Sequence, residues 1–372
     1  MKLYSKQNII FISPESSFKK KGAREALACA QALALGELDG LELNIFPLRR
    51  YSHSTVLQKI YSILGYIDGV TKENLVVLRD EIKSKNINTV YLDGSNLGLI
   101  SRFIKKNFKS VRVVIFFHNV EARFFFGSLK HQKNLKSILV LIANYFAERC
   151  AVAYSDIRIM LNKRDSDTLR NIYGYTGTHI CPFEVPDQRI NNLMSNKVDL
   201  PQKYCLFVGS AFYANVDGIS WFCKYVAPYI TIKVVIIGRG FEKLKSVLET
   251  FGNIDVLGEV EDLSPWYNGA SFVIAPIFDG SGMKTKVGEA LMYGKKVVGS
   301  REAFTGYEEF LPCAGILCEV QKDYIAAISK YSGELTSFPD TLLQDIYNNT
   351  FSHVAFRERL WDIINTSWMQ SS

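Results

Sequence analysis

The chain lacks the residue patterns that announce several common chemistries. Its seven cysteines fall singly, with no paired spacing and no Cys/His cluster. That excludes a disulfide framework and a structural zinc site, and fits reduced thiols in a cytoplasmic protein. No Gly-x-Ser-x-Gly sequence occurs, which removes a nucleophile elbow and its Ser-His-Asp triad. No Gly-x-Gly-x-x-Gly opens the first helix of either half, which disfavours a dinucleotide dehydrogenase. The longest apolar run, residues 137–146, contains Asn144 and is too short to span a bilayer. The opening residues, MKLYSKQNIIFIS, form a strand-like start without the apolar region of a signal peptide. Low-complexity tracts and short-period repeats are missing as well.

What is present is a globular composition. The chain has 372 residues, 48% of them hydrophobic, enough for two domains with real cores. The net charge of +7 is uneven. Residues 1–190 hold 28 Lys and Arg against 17 Asp and Glu, whereas the remainder holds 16 against 20. Residues 101–150 are the basic extreme. A basic half suits a phosphorylated substrate or an anionic membrane surface. Nucleic acid is disfavoured, because the second half is acidic and no recognition module appears.

Strand-like and helix-like patterns alternate along the whole chain. The run VRVVIFF, residues 111–117, reads as a strand buried on both faces of a parallel sheet. Helices are expected over residues 57–78, with a turn near Gly69, and over 135–154, 163–173, 216–230 and 241–250. The alternation lapses in the Pro- and Asn-rich text between Pro182 and Pro201. The division predicted is a Rossmann-like domain over 1–185, a linker over 186–202, a second such domain over 203–350, and a helix over 351–372 returning to the first. The fold class is therefore α/β, two doubly wound domains facing across a cleft, with ligands at the carboxyl ends of strands.

One stretch is the most specific. Residues 271–300 read strand, glycine-rich turn, helix, strand. Gly280 and Gly282 permit positive φ and a close approach of backbone to ligand. Ser281 is the expected N-cap of a helix over 283–293. Free amides at that helix start would face an anion. Lys284 and Lys286 set two positive charges against the helix dipole, which suggests a strongly anionic ligand. Glu289 lies about 10 Å from the helix start at 1.5 Å per residue, a fitting reach from a diphosphate to a ribose diol. The alternative, solvated lysines with Glu289 paired to Lys286, is open on these residues alone. Three further strand ends carry glycine in the same half: Gly209, Gly238 with Gly240, and Gly258.

The order FVGS, NVDGISWF, VVIIGRG, VLGEVEDLSPWYNGA and GSGMKTKVGEALMYGKKVVGS resembles the donor domain of family 4-type (group 1) glycosyltransferases of the GT-B fold. The likeness is close over residues 204–300; the first half resembles the family only in layout. It implies a donor site in which Gly209 and Ser210 lie beneath the phosphates. Gly238 and Arg239 end the next strand, and Val260 meets the base. The loop of Asp279, Gly280, Ser281, Gly282, Met283, Lys284, Thr285 and Lys286 would hold the diphosphate, and Glu289 would take the ribose hydroxyls. Many members have a sugar-contacting glutamate where this chain has Ser281. Many have an Arg and a Lys in the loop after the first donor-domain strand, and here that loop is Gly-Ser-Ala-Phe-Tyr-Ala-Asn.

In the first half, His118 ends the buried strand, with Glu121 beside it. The resemblance places such a His near the sugar being transferred, and His118, Glu121 and Lys284 are the catalytic candidates. Lys20, Lys21 and Gly22 stand where the family has a loop touching acceptor or phosphate. The segments RFIKKNFKSVR and RFFFGSLKHQKNLK suggest an interfacial surface at lipid headgroups. The resulting expectation is a hexosyltransferase using a UDP- or GDP-linked sugar, retaining, with no cofactor and no metal. Its acceptor is a glycan or a polyprenyl-diphosphate-linked glycan in bacterial surface polysaccharide synthesis, at the inner face of the membrane. A nucleotide-sugar epimerase and a non-catalytic nucleotide-sugar-binding partner are the alternatives.

Overall fold

A computed structural model describes residues 7–15, 23–49, 56–129, 134–189 and 199–369. The chain divides into two compact units, Met1–Glu184 with His353–Ser372, and Val185–Ser352.

The first unit runs β1 (Gln7–Pro14), α1 (Ala23–Gly36), β2 (Leu41–Leu48), α2 (Val56–Ile63), α3 (Lys72–Ser84), β3 (Thr89–Asp93), α4 (Gly98–Asn107) and β4 (Arg112–Phe117). It continues through α5 (Glu121–Leu129), α6 (Leu135–Tyr154), β5 (Ile157–Met160), α7 (Lys163–Tyr173) and β6 (His179–Ile180). The strands form one parallel sheet in the order β2-β1-β3-β4-β5-β6. From β1 the chain goes first to one neighbour and then to the other. The switch point therefore falls between β1 and β3, where a crevice opens beyond the strand ends. Ile9 to Ile12, Val90 to Leu92 and Val113 to Phe117 are buried. Helices cover both faces of the sheet, so its central strands are apolar throughout.

The second unit repeats the plan. Its elements are β7 (Tyr204–Val208), α8 (Tyr213–Tyr225), β8 (Lys233–Ile237), α9 (Lys245–Leu248), β9 (Ile254–Gly258), α10 (Ser264–Gly269), β10 (Phe272–Ala275) and α11 (Thr285–Met292). Then come β11 (Val297–Gly299), α12 (Leu311–Ala314), β12 (Gly315–Leu317), α13 (Gln321–Glu334) and α14 (Thr341–Thr350). The sheet order is β12-β11-β10-β7-β8-β9, again parallel. Its switch point lies between β7 and β10. The four glycine-bearing strand ends expected from sequence thus sit on four adjacent strands. The last helix, α15 (His353–Met369), belongs to the first unit and packs on α1.

Several boundaries depart from expectation for local reasons. The helix expected over 57–78 is two helices, α2 and α3. Gly65, Asp68 and Gly69 between them adopt φ of 93°, 50° and 88°, and Thr71 caps α3 by accepting from the Asn74 amide at 3.2 Å. The helix expected over 241–250 is broken into a 3₁₀ turn, the short α9 and a second 3₁₀ turn. The helix expected over 216–230 begins earlier, at Tyr213, and gives way at Val226 to a 3₁₀ turn containing Pro228. By length and composition α6 is apolar enough to cross a membrane, contrary to the reading from run length, and 33% of its most apolar stretch is buried. Its inner side is taken by α4 and α5.

Candidate functional site

The loop after β10 does not cap its helix as the sequence suggests. Helix α11 begins at Thr285, its N-cap residue is Lys284, and no side chain caps it. The Ser281 hydroxyl is instead buried without a hydrogen-bond partner among the described residues. Gly280 and Gly282 have φ of 143° and 65°, which only glycine adopts at ease. The Lys284 ammonium folds back into this loop. It donates to the Gly282 carbonyl and to Glu302 Oε1, both at 2.9 Å.

Lys286 points the other way, into the protein. Its side chain is 6% exposed, and its Nζ donates to Asn215 Oδ1 at 2.8 Å and lies 4.3 Å above the Phe207 ring. A Cβ at Gly209 would come within 3.1 Å of that ammonium. The charge therefore stands at the end of β7, beside the switch point. Burial pulls its pKa down to about 7, against the opposing pull of Glu289, with Lys284 adding to the depression.

Glu289 follows one turn later on the same helix, where residues three apart share a face. Tyr267 from α10 donates its hydroxyl to Glu289 Oε2 at 2.6 Å. Desolvation raises the Glu289 pKa; the Tyr267 bond and Lys286 oppose the rise. Tyr267 is itself fixed by stacking on Tyr293, ring centroids 4.9 Å apart and planes 3° from parallel. Tyr293 in turn donates to Ser264 Oγ at 2.8 Å.

The neighbouring strand ends are stitched together through backbone. Gly209 N donates to the Ile237 carbonyl at 3.0 Å, Gly238 N to the Gly258 carbonyl at 2.6 Å, and Ala211 N to the Arg239 carbonyl at 2.9 Å. Gly238 has φ of 153°, and a Cβ there would meet the Gly209 oxygen at 1.8 Å. The Ser210 carbonyl accepts from Asn215 Nδ2 at 2.8 Å. Asp279 Oδ1 accepts from the Gly280 amide at 2.8 Å, holding the loop. Arg239 is exposed, while Val260 and Thr285 are half-buried. Met283 is buried and lies over Gly306, leaving its backbone rather than its side chain for a ligand.

The first unit gathers a second cluster at its own switch point. Asp93, at the end of β3, is fully buried. Its Oδ2 accepts from Ser13 Oγ at 2.6 Å. Its Oδ1 lies 2.5 Å from His118 Nε2 and accepts from Gln31 Nε2 at 3.1 Å. Tyr91 secures Gln31 by donating to Oε1 at 2.9 Å. With Nε2 turned to a carboxylate, the other ring nitrogen of His118, Nδ1, is buried and has no partner among the described residues.

Close by, the carboxylate of Glu148, fully buried in α6, caps α5. It accepts from the amides of Glu121 and Ala122 at 2.9 and 3.1 Å, from Ser95 Oγ at 2.8 Å and from the Tyr173 hydroxyl at 2.9 Å. Desolvation raises its pKa despite these four bonds. Glu121 is thereby fixed three residues beyond His118. Lys20, Lys21 and Gly22 lie outside the described residues.

Residues 202–332 match the family model described as Glycosyl transferases group 1. The second unit is a group 1 glycosyltransferase domain. No curated protein matches the chain in sequence. Solved structures match it over nearly its whole length. A sucrose-phosphate synthase from Thermosynechococcus elongatus is similar at a TM-score of 0.70 and 13% identity, covering 98% of this chain and 100% of that one. A glycosyltransferase from Rickettsia africae ESF-5 is similar at 0.67 and 11%, covering 97% and 100%. Anabaena HepE in complex with UDP and glucose is similar at 0.63 and 11%, again covering 97% and 100%. The fold is GT-B, two Rossmann-like domains.

Within this glycosyltransferase domain, Gly209, Gly238, Lys286 and Glu289 are brought to one sheet edge. Lys284 is directed away, into its pair with Glu302. Sequence reasoning missed Asn215, Tyr267 and Glu302 here, and Asp93 and Glu148 in the first unit. Asn215 closes the loop after β7 and Asp93 opens an Asp-Gly-Ser turn; strand-end position was the available signal for both. An Asp-x-Asp pair occurs at Asp165 and Asp167, in α7, where Asn162 Nδ2 donates to Asp165 Oδ2 at 2.8 Å.

Proposed function

We propose that the protein transfers a hexosyl group from a nucleoside-diphosphate sugar, UDP- or GDP-linked, to a hydroxyl of a glycan or lipid-linked glycan, at the inner face of a bacterial membrane. One observation carries the reading. Lys286 and Glu289, one helical turn apart, converge with glycine-only backbone at the switch point between β7 and β10. A cation beside strand ends with no side chains to block them suits a diphosphate. A carboxylate one turn further suits a ribose diol.

The chemistry this supports is displacement at the anomeric carbon. An acceptor hydroxyl oxygen forms the new bond to that carbon as its bond to the diphosphate oxygen breaks. The electron pair leaves with the diphosphate, and the acceptor's proton passes to it, so that no protein base is required for a retaining transfer. Lys286 and the amides after Ser281 stabilise the charge that develops on the leaving group. His118 Nδ1, oriented through Asp93, accepts from a substrate hydroxyl. No metal or cofactor takes part. The exposed Phe126 and Leu135 near Arg123 and Lys136 support contact with an anionic membrane surface.

The test is calorimetric titration of the EDTA-treated protein with UDP and GDP, followed by product analysis with acceptor glycans. Binding of one diphosphate that weakens in Glu289→Ala supports the reading. Unchanged binding in that variant removes the ribose assignment. Conversion of a sugar nucleotide to a new sugar without acceptor would mark an epimerase instead.

A further inference from the structure

A cavity of about 800 Å³ opens in the first unit beside α6, within the range of roughly 300–1,000 Å³ usual for small-molecule sites. It has two characters. Ile63, Phe125, Leu139 and Val140 supply apolar walls. Asp68, Asn96 and Glu121 supply a polar patch. These three are tied together: Asn96 donates to Asp68, while Glu148 bonds both Ser95 and the Glu121 amide. Asn96 follows β3 and Glu121 follows β4, so the polar patch lies on the same sheet edge as the Asp93–His118 pair.

The apolar side continues onto the surface. Ile60, which also lines the cavity, is 52% exposed, and Leu135 and Ile138 on the first turn of α6 are 72% and 44% exposed. An aliphatic chain entering from an apolar phase would find continuous contact. The polar patch sets the head group. Lys136 lines the cavity as well, but two carboxylates against one ammonium leave the lining net acidic, so it favours hydroxyls over a phosphate.

We propose that this cavity holds the aliphatic chain of a glycolipid acceptor, with a neutral sugar directly attached to the chain seated at Asp68, Asn96 and Glu121. The inference rests on the glycosyltransferase reading and narrows it. The acceptor is an early one, its sugar next to the lipid, and no diphosphate separates them.

The full-length protein is titrated with methyl, octyl and dodecyl β-glucoside below their micelle thresholds, and with octyl phosphate, while UDP binding is followed in parallel. Affinity is expected to rise at least about tenfold from methyl to octyl glucoside, and octyl phosphate to bind more weakly than octyl glucoside. Val140→Trp, or Leu139→Trp as a second filling variant, is expected to abolish the chain-length gain while UDP binding is retained. Asp68→Asn is expected to weaken all three glucosides. A chain-length gain that survives both filling variants, or tighter binding of octyl phosphate, overturns the proposal. Failure of UDP to bind wild-type protein would refute the donor site, and the glucoside series would still decide the cavity.

Discussion

Lys286 reaches from α11 to the end of β7, where its ammonium donates to Asn215 Oδ1 at 2.8 Å. That bond places a desolvated charge beside Gly209, where an added Cβ would come within 3.1 Å of the ammonium. Replacing Lys286 by Met keeps an unbranched apolar side chain and removes the ammonium that lies over Phe207. The expected result is a loss of about 2–3 kcal/mol in UDP binding, roughly 30- to 150-fold in Kd. Thermal stability should hold or rise, because a buried charge is removed. Calorimetry and a melting curve on the same sample check both halves.

Donor affinity should depend on pH through the same residue. Burial brings Lys286 down to about 7 from its ordinary 10.5, so the free protein is losing this charge across neutral pH. An anionic ligand favours the protonated form, so binding takes up a proton above pH 7. Affinity should fall between pH 7 and 9, by at most about tenfold per unit. Stability of the ligand-free protein runs the opposite way. The unfolded chain holds the proton up to about 10.5 and the folded chain only to about 7, so the residue's contribution improves as pH rises through that window. A pH-independent Kd for UDP would contradict the assignment.

Glu289 and Tyr267 should act as a unit on the ribose. Glu289→Ala is expected to weaken UDP by about 1.5–3 kcal/mol and 2′-deoxy-UDP by clearly less. Tyr267→Phe leaves the carboxylate without its 2.6 Å partner and should show a smaller loss of the same kind. Equal losses for both nucleotides would show that Glu289 does not meet the 2′-hydroxyl.

Gly238→Ala tests the close approach of the strand ends. The added Cβ would lie 1.8 Å from the Gly209 oxygen at a φ of 153°. A destabilisation of at least about 2 kcal/mol is expected, seen as a melting shift on the order of 4–8 °C for a unit of this size. An unshifted melt would mean that the two loops are not packed as described.

Asp93→Asn should alter catalysis through His118. The pair at 2.5 Å sets which ring nitrogen carries the proton. The variant is expected to lower kcat with little change in donor Kd, because the ring loses the carboxylate that orients it. A loss that appears only as lowered stability, with kcat per folded molecule unchanged, would leave Asp93 a core residue.

Much of the architecture was legible because it is local. The limits of α6 and α7 follow from apolar period and flanking polar residues, and the structure reproduces them. The glycine-bearing strand ends were legible for the same reason. What was not legible depends on pairing across long separations. Asn215 meets Lys286 only once β7 and β10 are neighbours, and Tyr267 meets Glu289 only once α10 and α11, on either side of β10 in the chain, come together. Asp93 meets His118 only across β3 and β4. The start of α11 was misread because Ser281 is a common cap type. The glycine on either side of it lets the backbone turn further, so the helix begins at Thr285 and the hydroxyl is left without a partner.

Helix α15 has a consequence for how the chain is made. It completes the first unit through Arg112 Nη2, which donates to the Ile364 carbonyl at 2.7 Å, and through Phe356, whose ring sits edge-on to Phe116 at 6.1 Å. His353 and Arg357 both bond Glu37 at the end of α1. All of these partners leave the ribosome well before α15, since the whole of Val185–Ser352 is translated in between. At ordinary synthesis rates that interval is on the order of 10–30 s. During it the buried side of Phe116 and the outer face of α1 lack their cover, which makes the half-made first unit a natural client for a chaperone.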